Sequence, residues 1–338
     1  MRRSAVVAFS FAALGALQVH AGEAPADTAQ VIPTVYEAGH FFAVPETRDG
    51  QRLKLLVDTG GGGSSGMYWF AKATAERLHL PTNDCALGDT HVQVARLPDY
   101  QPRRALPPPI DGPCGAALLV VSLPANQHLE GQLGGAYLSG RIWTFDYPAR
   151  RMTLESPSWR PASAAHGTKL GFQYNDAGKQ TTGFARLPIV VDGETLDMLL
   201  DTGATAAPTP SAAKISGTPT VQGQGVTSYI TTGKLDQWHK KHPDWRVLEQ
   251  ADTLVPHPSV QRIIEVPKVQ IAGWSIGPVW FTERPDKAFH EYMAQMMDKP
   301  TEGAVGGNVF QHFAVTIDYP REMAYFRCVK GCAPAPVE

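Results

Sequence analysis

The 338-residue chain carries the tripeptide Asp-Thr-Gly twice, and these residues have the types and spacing that could do chemistry. The two aspartates are Asp58 and Asp201, and each directly follows an apolar run typical of a buried strand. A carboxylate at the end of a buried strand is costly unless partners hold it. Two such carboxyl groups that meet can share one proton and activate a water molecule between them. The sequence leaves open which of the two acids would act as the base.

The chain repeats more than this tripeptide. An Asp-Gly dipeptide, which is a strong hairpin signal, begins nine residues before each aspartate. Two further stretches recur with a spacing of 172 residues, against 143 for the Asp-Thr-Gly pair. We therefore predict a duplicated unit, with about 29 extra residues inside the second copy, that forms two related lobes. The recurring stretches are residues 130–135 with 302–307, and residues 144–148 with 316–320.

These features resemble the aspartic peptidases of the pepsin and retropepsin clan. The resemblance rests on the paired Asp-Thr-Gly motifs and on a later glycine motif in each copy, and it spans most of residues 35–327. It implies an exported, two-lobed bacterial protein with an all-β fold of two pseudo-symmetric acid-protease-like lobes and a few short helices. One catalytic aspartate would come from each lobe. The glycine motifs are Gln132-Leu133-Gly134 and Ala304-Val305-Gly306.

The resemblance also implies roles for the residues that follow the aspartates. Thr59 and Thr202 would bond across to the opposite lobe and hold the two loops together. Gly60 and Gly203 would allow the backbone turn and the close approach of the loops. Thr205 fits the same pattern in the second loop.

The first loop departs from the family pattern. Pepsin-like enzymes usually place Ser or Thr three residues after each aspartate, where this chain has Gly61 and Ala204. Gln132 is polar where the family has an apolar residue. We therefore expect an eroded site in lobe 1, in which Gly61→Ser should hold or raise activity by restoring a hydroxyl beside Asp58.

The predicted function is hydrolysis of peptide bonds by an aspartic endopeptidase, with no metal and no organic cofactor. The partner would be an extended peptide or protein substrate that pairs with strands at the cleft. The alternative is a non-catalytic peptide- or protein-binding protein on the same fold, because the first loop is eroded. A monomer is expected, since both lobes are in one chain. Residues 84–115 are the expected source of a flap over the cleft.

Composition and charge exclude some other classes of partner. The formal net charge is −2 and the isoelectric point is about 6.6, so no basic field attracts nucleic acid or an anionic membrane. Charged residues make up 18% of the chain, which also contains 32 glycines and 28 prolines. That composition favours a turn-rich β protein over a helical one.

The N-terminus predicts export. Residues 1–21 read as a signal peptide with a basic start, an apolar stretch and a cleavage site after Ala21, and a membrane anchor is the alternative. The protein would then be periplasmic or secreted, with no membrane contact after cleavage. The presence of four cysteines fits an exported protein. We predict that they form local disulfides, Cys85 with Cys114 and Cys328 with Cys332. The alternative for the last pair is half of a metal site.

The predicted organisation follows from composition and periodicity. A flexible segment over 22–34 precedes lobe 1 at 35–154, and a linker over 155–167 leads to lobe 2 at 168–327. Residues 328–338 hold the second disulfide and a frayed tail. Helices are predicted over 71–79, 234–241 and 286–297.

Overall fold

The structure is a computed structural model that describes residues 28–63, 66–88, 90–110, 114–124, 129–254 and 261–336. The predicted signal peptide over 1–21 lies outside these residues. Strands make up 43% of the structure and helices 16%, so the prediction of an all-β fold with a few short helices is confirmed. None of the described helices is long and apolar enough to cross a bilayer.

Short strands dominate both halves of the described chain. The first half contains β1 (Gln30–Ile32), β2 (Thr34–Glu37), β3 (His40–Ala43), β4 (Leu55–Val57), β5 (Trp69–Ala71), β6 (Thr82–Leu87), β7 (Thr90–Arg96), β8 (Ala117–Val121), β9 (Gly131–Leu133), β10 (Ile142–Asp146) and β11 (Arg151–Leu154). The second half contains β12 (Ala165–Lys169), β13 (Arg186–Val191), β14 (Glu194–Leu200), β15 (Thr205–Ala206), β16 (Gly225–Val226), β17 (Ser228–Thr231), β18 (Val247–Asp252), β19 (Gln261–Val266), β20 (Val269–Ile271), β21 (Trp274–Ile276), β22 (Val279–Arg284), β23 (Gly303–Val305), β24 (Phe313–Asp318), β25 (Met323–Cys328) and β26 (Ala333–Pro334).

The helices are short. They are α1 (Lys72–Arg77), α2 (Gly135–Leu138), α3 (Pro210–Ser216), α4 (Thr232–Lys241) and α5 (Gly307–Phe310). The helices predicted over 71–79 and 234–241 are confirmed as α1 and α4. The one predicted over 286–297 contains a π-helical turn at Ala288–Tyr292 and a 3-10 turn at Met293–Met296. Phe289, Met296 and Met297 are buried in one cluster, and Met293 packs against it, so the segment presents one apolar face as predicted although its turns are irregular.

The described residues form three large sheets, and two of them carry the Asp-Thr-Gly loops. An eight-stranded sheet has the order β2-β3-β4-β9-β5-β8-β7-β6, and a ten-stranded sheet has the order β18-β19-β22-β17-β23-β14-β13-β20-β21-β26. A six-stranded sheet, β1-β11-β10-β24-β25-β12, combines strands from both halves. Within it Thr144 on β10 faces Thr316 on β24, and their hydroxyls are 2.8 Å apart. The superposition of the two halves as related lobes stays a prediction.

One hydrophobic core runs through the molecule and supports the six-stranded sheet from both halves. Among its fully buried members are Phe41 and Phe70 from the first half and Phe310 and Phe326 from the second. Trp143 on β10 is 1% exposed within the same cluster. Burial of aromatic side chains on this scale is a main source of stability for such a fold.

Sequence-predicted boundaries are wrong at three chain segments, because each pairs with a distant strand. Residues Gln30–Ile32 of the supposedly flexible N-terminal segment form β1 against β11. The last residues of the predicted linker belong to β12, which begins at Ala165 and pairs with β25. The tail forms β26 against β21 at Ala333–Pro334.

Both predicted disulfides are confirmed. The Cα atoms of Cys85 and Cys114 are 6.0 Å apart, and those of Cys328 and Cys332 are 6.2 Å apart. These separations lie within the usual range for a disulfide. The first bridge ties β6 to the segment that leads into β8, and the second closes a short loop after β25.

Candidate active site

Parallel strand pairs place the two aspartates and the two glycine motifs side by side. Strand β4 ends immediately before Asp58 and pairs with β9, and β14 ends immediately before Asp201 and pairs with β23. The amide of Asp58 donates to the carbonyl of Leu133 at 3.0 Å, and the amide of Asp201 donates to the carbonyl of Val305 at 2.9 Å. The predicted neighbours of each aspartate therefore lie beside it.

The threonines after the aspartates join the two loops by reciprocal hydrogen bonds. Thr59 Oγ1 donates to the Leu200 carbonyl at 2.7 Å and accepts from the Thr202 amide at 3.0 Å. Thr202 Oγ1 donates to the Val57 carbonyl at 2.8 Å and accepts from the Thr59 amide at 3.1 Å. All four bonds are buried, so the loops are held as one unit across the two halves.

Each aspartate carboxyl packs against the glycine of the opposite loop. A Cβ atom added at Gly60 would lie 2.7 Å from Cγ of Asp201, and one at Gly203 would collide with the carboxyl of Asp58. Only glycine therefore allows this approach. Asp58 is 9% exposed and Asp201 is 8% exposed, and their side chains hydrogen bond to each other.

The two acids differ in proton affinity. Burial raises the pKa of both carboxyl groups above the usual value. The negative charge of Asp58 and the hydrogen bond to it raise the pKa of Asp201 further, to well above the usual range. The same hydrogen bond and the Gly60 amide, which donates to Asp58 Oδ1 at 3.0 Å, act against the rise in the pKa of Asp58. The two carboxyl groups therefore titrate as a coupled pair, in which one acid can be ionised while the other keeps a proton.

The side chain of Gln132 contacts the pair directly. Its Nε2 donates to Asp58 Oδ2 at 2.7 Å, and the residue is 7% exposed. A Cβ atom at Gly61 would lie 2.6 Å from Asp58 Cγ and would also collide with Nε2 of Gln132. An amide already fills the space that a hydroxyl at position 61 would need, so this geometry argues against the expectation that Gly61→Ser would hold or raise activity.

Sequence reasoning noted Gln132 only as a departure from a family pattern. The signal that could have identified Gln132 is its polar side chain in the short strand β9, where both flanking residues are buried. Its partner is 74 residues away, and only the pairing of β4 with β9 brings the two together.

Thr205 supports the second loop, as expected, and it does so with a histidine that the sequence did not single out. Thr205 Oγ1 donates to the Gly203 carbonyl at 2.7 Å and lies 3.0 Å from Nε2 of His40. Because the hydroxyl proton is used on Gly203, His40 is the donor in the second contact. Burial lowers the pKa of His40 to about 4. The Thr205 amide also donates to the Tyr229 hydroxyl at 2.8 Å.

The expected flap region contains an exposed hairpin. Strands β6 and β7 lie within or next to residues 84–115, and they pair from Thr82 with Ala95 to Leu87 with Thr90. Most side chains of β6 are exposed. A covering role for this hairpin stays a prediction.

Two other features bear on ligands. No group of three or more His, Cys, Asp or Glu side chains that could hold a metal ion occurs among the described residues. A cavity of about 290 Å³ is lined by Tyr36, Arg150 and Lys330 among others, and neither aspartate lines it. The candidate site is therefore the aspartate pair and not this cavity.

No protein-family model matches this chain, and no curated protein matches it. The resemblance to aspartic peptidases therefore depends on the motifs and on the arrangement of the two loops.

Proposed function

We propose that this chain is an aspartic endopeptidase that hydrolyses peptide bonds with a water molecule held between Asp58 and Asp201. The observation that carries the proposal is the closeness of the two carboxyl groups, each of which packs against the glycine of the opposite loop and perturbs the pKa of the other. Besides its amide donors, each acid has the other acid as a partner, which a structural role for a single buried acid does not require. Titratable pairs with separated pKa values are a mark of acid–base sites.

The difference in proton affinity supports a division of labour. Ionised Asp58 takes a proton from water as the water oxygen bonds to the carbonyl carbon, and Asp201 gives its proton to the carbonyl oxygen. In the second step Asp201 regains a proton from a hydroxyl of the tetrahedral intermediate. The carbon–nitrogen bond then breaks, and Asp58 passes its proton to the leaving nitrogen. Both acids return to their starting states.

The remaining parts of the proposal follow from the same arrangement. Both acids come from one chain, so a monomer has a complete pair. The chemistry needs neither a metal nor an organic cofactor, and the substrate would be an extended peptide or protein segment. Two disulfides agree with an oxidising compartment and so support the proposal of an exported, periplasmic or secreted protein.

The proposal is tested by turnover of a mixed peptide library from about pH 3 to 8, with chelator present. The wild type is measured beside Asp58→Asn and Asp201→Asn, and beside Asp176→Asn as a control at an exposed turn. We expect cleavage with a maximum on the acidic side of neutrality, because one acid must be ionised and the other protonated. Each active-site variant should lose turnover to background while the control keeps it.

Two outcomes would contradict the proposal. Cleavage that survives either active-site substitution would show that this pair is not the catalytic one. Binding of peptides without cleavage at any pH would favour the alternative, a non-catalytic peptide- or protein-binding protein. Circular dichroism of each variant separates loss of turnover from loss of fold.

A further inference from the structure

The two acids are held by different sets of groups. Asp58 accepts the Gly60 amide on Oδ1 at 3.0 Å and the Gln132 side-chain amide on Oδ2 at 2.7 Å. Asp201 accepts the Gly203 amide on Oδ1 at 2.9 Å and is also stabilised by the Ala204 amide, and no side-chain amide donates to it within the described part of the chain. The repeat spacing of 172 residues places Ala304 where the first half has Gln132, and a methyl group cannot donate.

We propose that Gln132 is a positioning residue that keeps the negative charge on Asp58 and leaves the shared proton on Asp201. The proposal rests on the proposed function, since it assigns the base and the acid of that reaction. A side-chain amide that donates to a carboxylate makes a charge-assisted hydrogen bond, which is roughly twice as strong as the bond to a neutral acid. The bond therefore favours the ionised form of the acid that receives it.

Gly61 and Gln132 act together in this arrangement. A side chain at position 61 would lie against both the Asp58 carboxyl and the Gln132 amide. The absence of a side chain there leaves room for an amide that reaches the same carboxyl from the neighbouring strand β9. Gly61 and Gln132 each depart from the family pattern, and each alone indicated an eroded site. Together they replace a hydroxyl donor at position 61 with an amide donor at position 132.

The other groups that face Asp58 do not explain the asymmetry. The buried hydroxyl of Tyr319 is close enough to Asp58 to interact with its charge, and burial raises the pKa of Tyr319 far above the working range, so this group is neutral there. The only charge in contact with Asp58 among the described residues is that of Asp201 itself when it ionises.

The groups that face Asp201 are also neutral between about pH 4 and 8, with one exception. Burial raises the pKa of both tyrosines among them and lowers that of the histidine. These groups are Tyr147 and Tyr229, which interact with Asp201, and His40, which bonds to Thr205 in the same loop. The exception is the Arg284 guanidinium behind them, which lies 4.3 Å from the centre of the Tyr229 ring and is paired with the buried Asp252 at 2.9 Å. A cation on this side would favour ionisation of Asp201, so it opposes the asymmetry that we assign to Gln132.

The test follows the carboxyl carbons of the pair by ¹³C NMR during a pH titration of the full chain. Resonances are assigned by their loss in Asp58→Asn and Asp201→Asn. In the wild type we expect Asp58 to ionise first and Asp201 to keep its proton above neutral pH. In Gln132→Leu the lower apparent pKa of the pair should rise by about one unit or more, because a hydrogen bond to a charged group is lost. The acidic limb of kcat/KM should move to higher pH by the same amount.

Two further variants separate positioning from structure. Gln132→Met keeps the length of the side chain without its donor, and it should shift the titration as Gln132→Leu does. Leu118→Ala removes a fully buried side chain from β8 and should lower the melting temperature without changing the order of ionisation.

Each outcome decides one of the two proposals. An unchanged lower pKa in both Gln132 variants would overturn the role of Gln132. A wild type in which Asp58 keeps the proton would overturn it too, since the amide oxygen would then face that carboxyl. The expected titration with no peptide cleavage at any pH would leave the role of Gln132 intact and refute the proposed function.

Discussion

His40→Gln should make the stability of the protein less sensitive to acid. The imidazole of His40 is 5% exposed and donates to Thr205, and its pKa is lowered from 6.5 to about 4. The unfolded chain takes up a proton at His40 near pH 6.5, whereas the folded protein does so only near pH 4. The unfolded state therefore binds more protons between these values, so stability is full above pH 6.5 and falls as the pH drops towards 4.

The size of the effect follows from the two pKa values. A lowering of about 2.5 units corresponds to about 3 kcal/mol, since each unit is worth about 1.4 kcal/mol. The side chain is buried, so solvent screens little of this energy. The unfolding free energy of the wild type minus that of His40→Gln should therefore decrease by about 3 kcal/mol between about pH 7 and pH 4.

Urea unfolding at four or five pH values across this range measures the difference directly. We compare the two unfolding free energies by their difference because the acid pair and other groups titrate in both proteins. Their contributions to the pH dependence therefore largely cancel. His91→Gln, at an exposed position on β7, serves as the matched control and should run parallel to the wild type. A wild-type-minus-variant difference that stays constant from pH 7 to 4 would refute the reasoning, because it would mean that His40 is protonated equally in both states.

Three further predictions concern the loops and the first disulfide. Gly61→Ser should lower turnover and shift the acidic limb upward because it displaces the amide from Asp58, while the exposed-turn control Asp176→Asn should keep turnover; equal kinetics for both would count against the crowding. Thr59→Val and Thr202→Val should each lower the unfolding free energy by roughly 2 kcal/mol in urea titrations, since each leaves two buried cross-loop bonds incomplete. The double variant should lose less stability than the sum of the two single losses, and strict additivity would contradict coupling between the loops. Cys85→Ser opens a loop of 29 residues and should cost about 3 kcal/mol or more on the entropic model, and an unchanged melting temperature would argue against a formed bridge.

The placements that sequence reasoning predicted correctly are those whose signals are local. Asp58 and Asp201 could be placed at strand ends because each motif is contiguous and is preceded by its own apolar strand, while their catalytic role stays a prediction. The contacts of Thr59 and Thr202 could be expected because duplication relates the two loops. The disulfides could be paired because each joins cysteines that are near one another in the chain.

The residues that were missed depend on strand pairing over long distances. Gln132 reaches Asp58 only because β9 lies beside β4, and His40 reaches Thr205 across 165 residues of chain. Strand β1 was taken for flexible chain because three residues with one buried side chain carry little periodicity. Its partner β11 begins about 120 residues later. No window of sequence contains both sides of such a contact, so propensity alone could not predict it.

The register between β10 and β24 has a consequence for the origin of the interface between the halves. Thr144 faces Thr316, and the pairing continues symmetrically to either side, from Ile142 with Asp318 to Asp146 with Ala314. The counterpart of a β10 residue is the residue 172 positions later, on β24. Each β10 residue thus pairs with the counterpart of the β10 residue that lies equally far on the other side of Thr144. An isologous contact of this kind is what two identical subunits form around a two-fold axis. Half of the chain, expressed alone, would present an edge strand that is complementary to itself, so it should associate into a symmetric dimer through that strand.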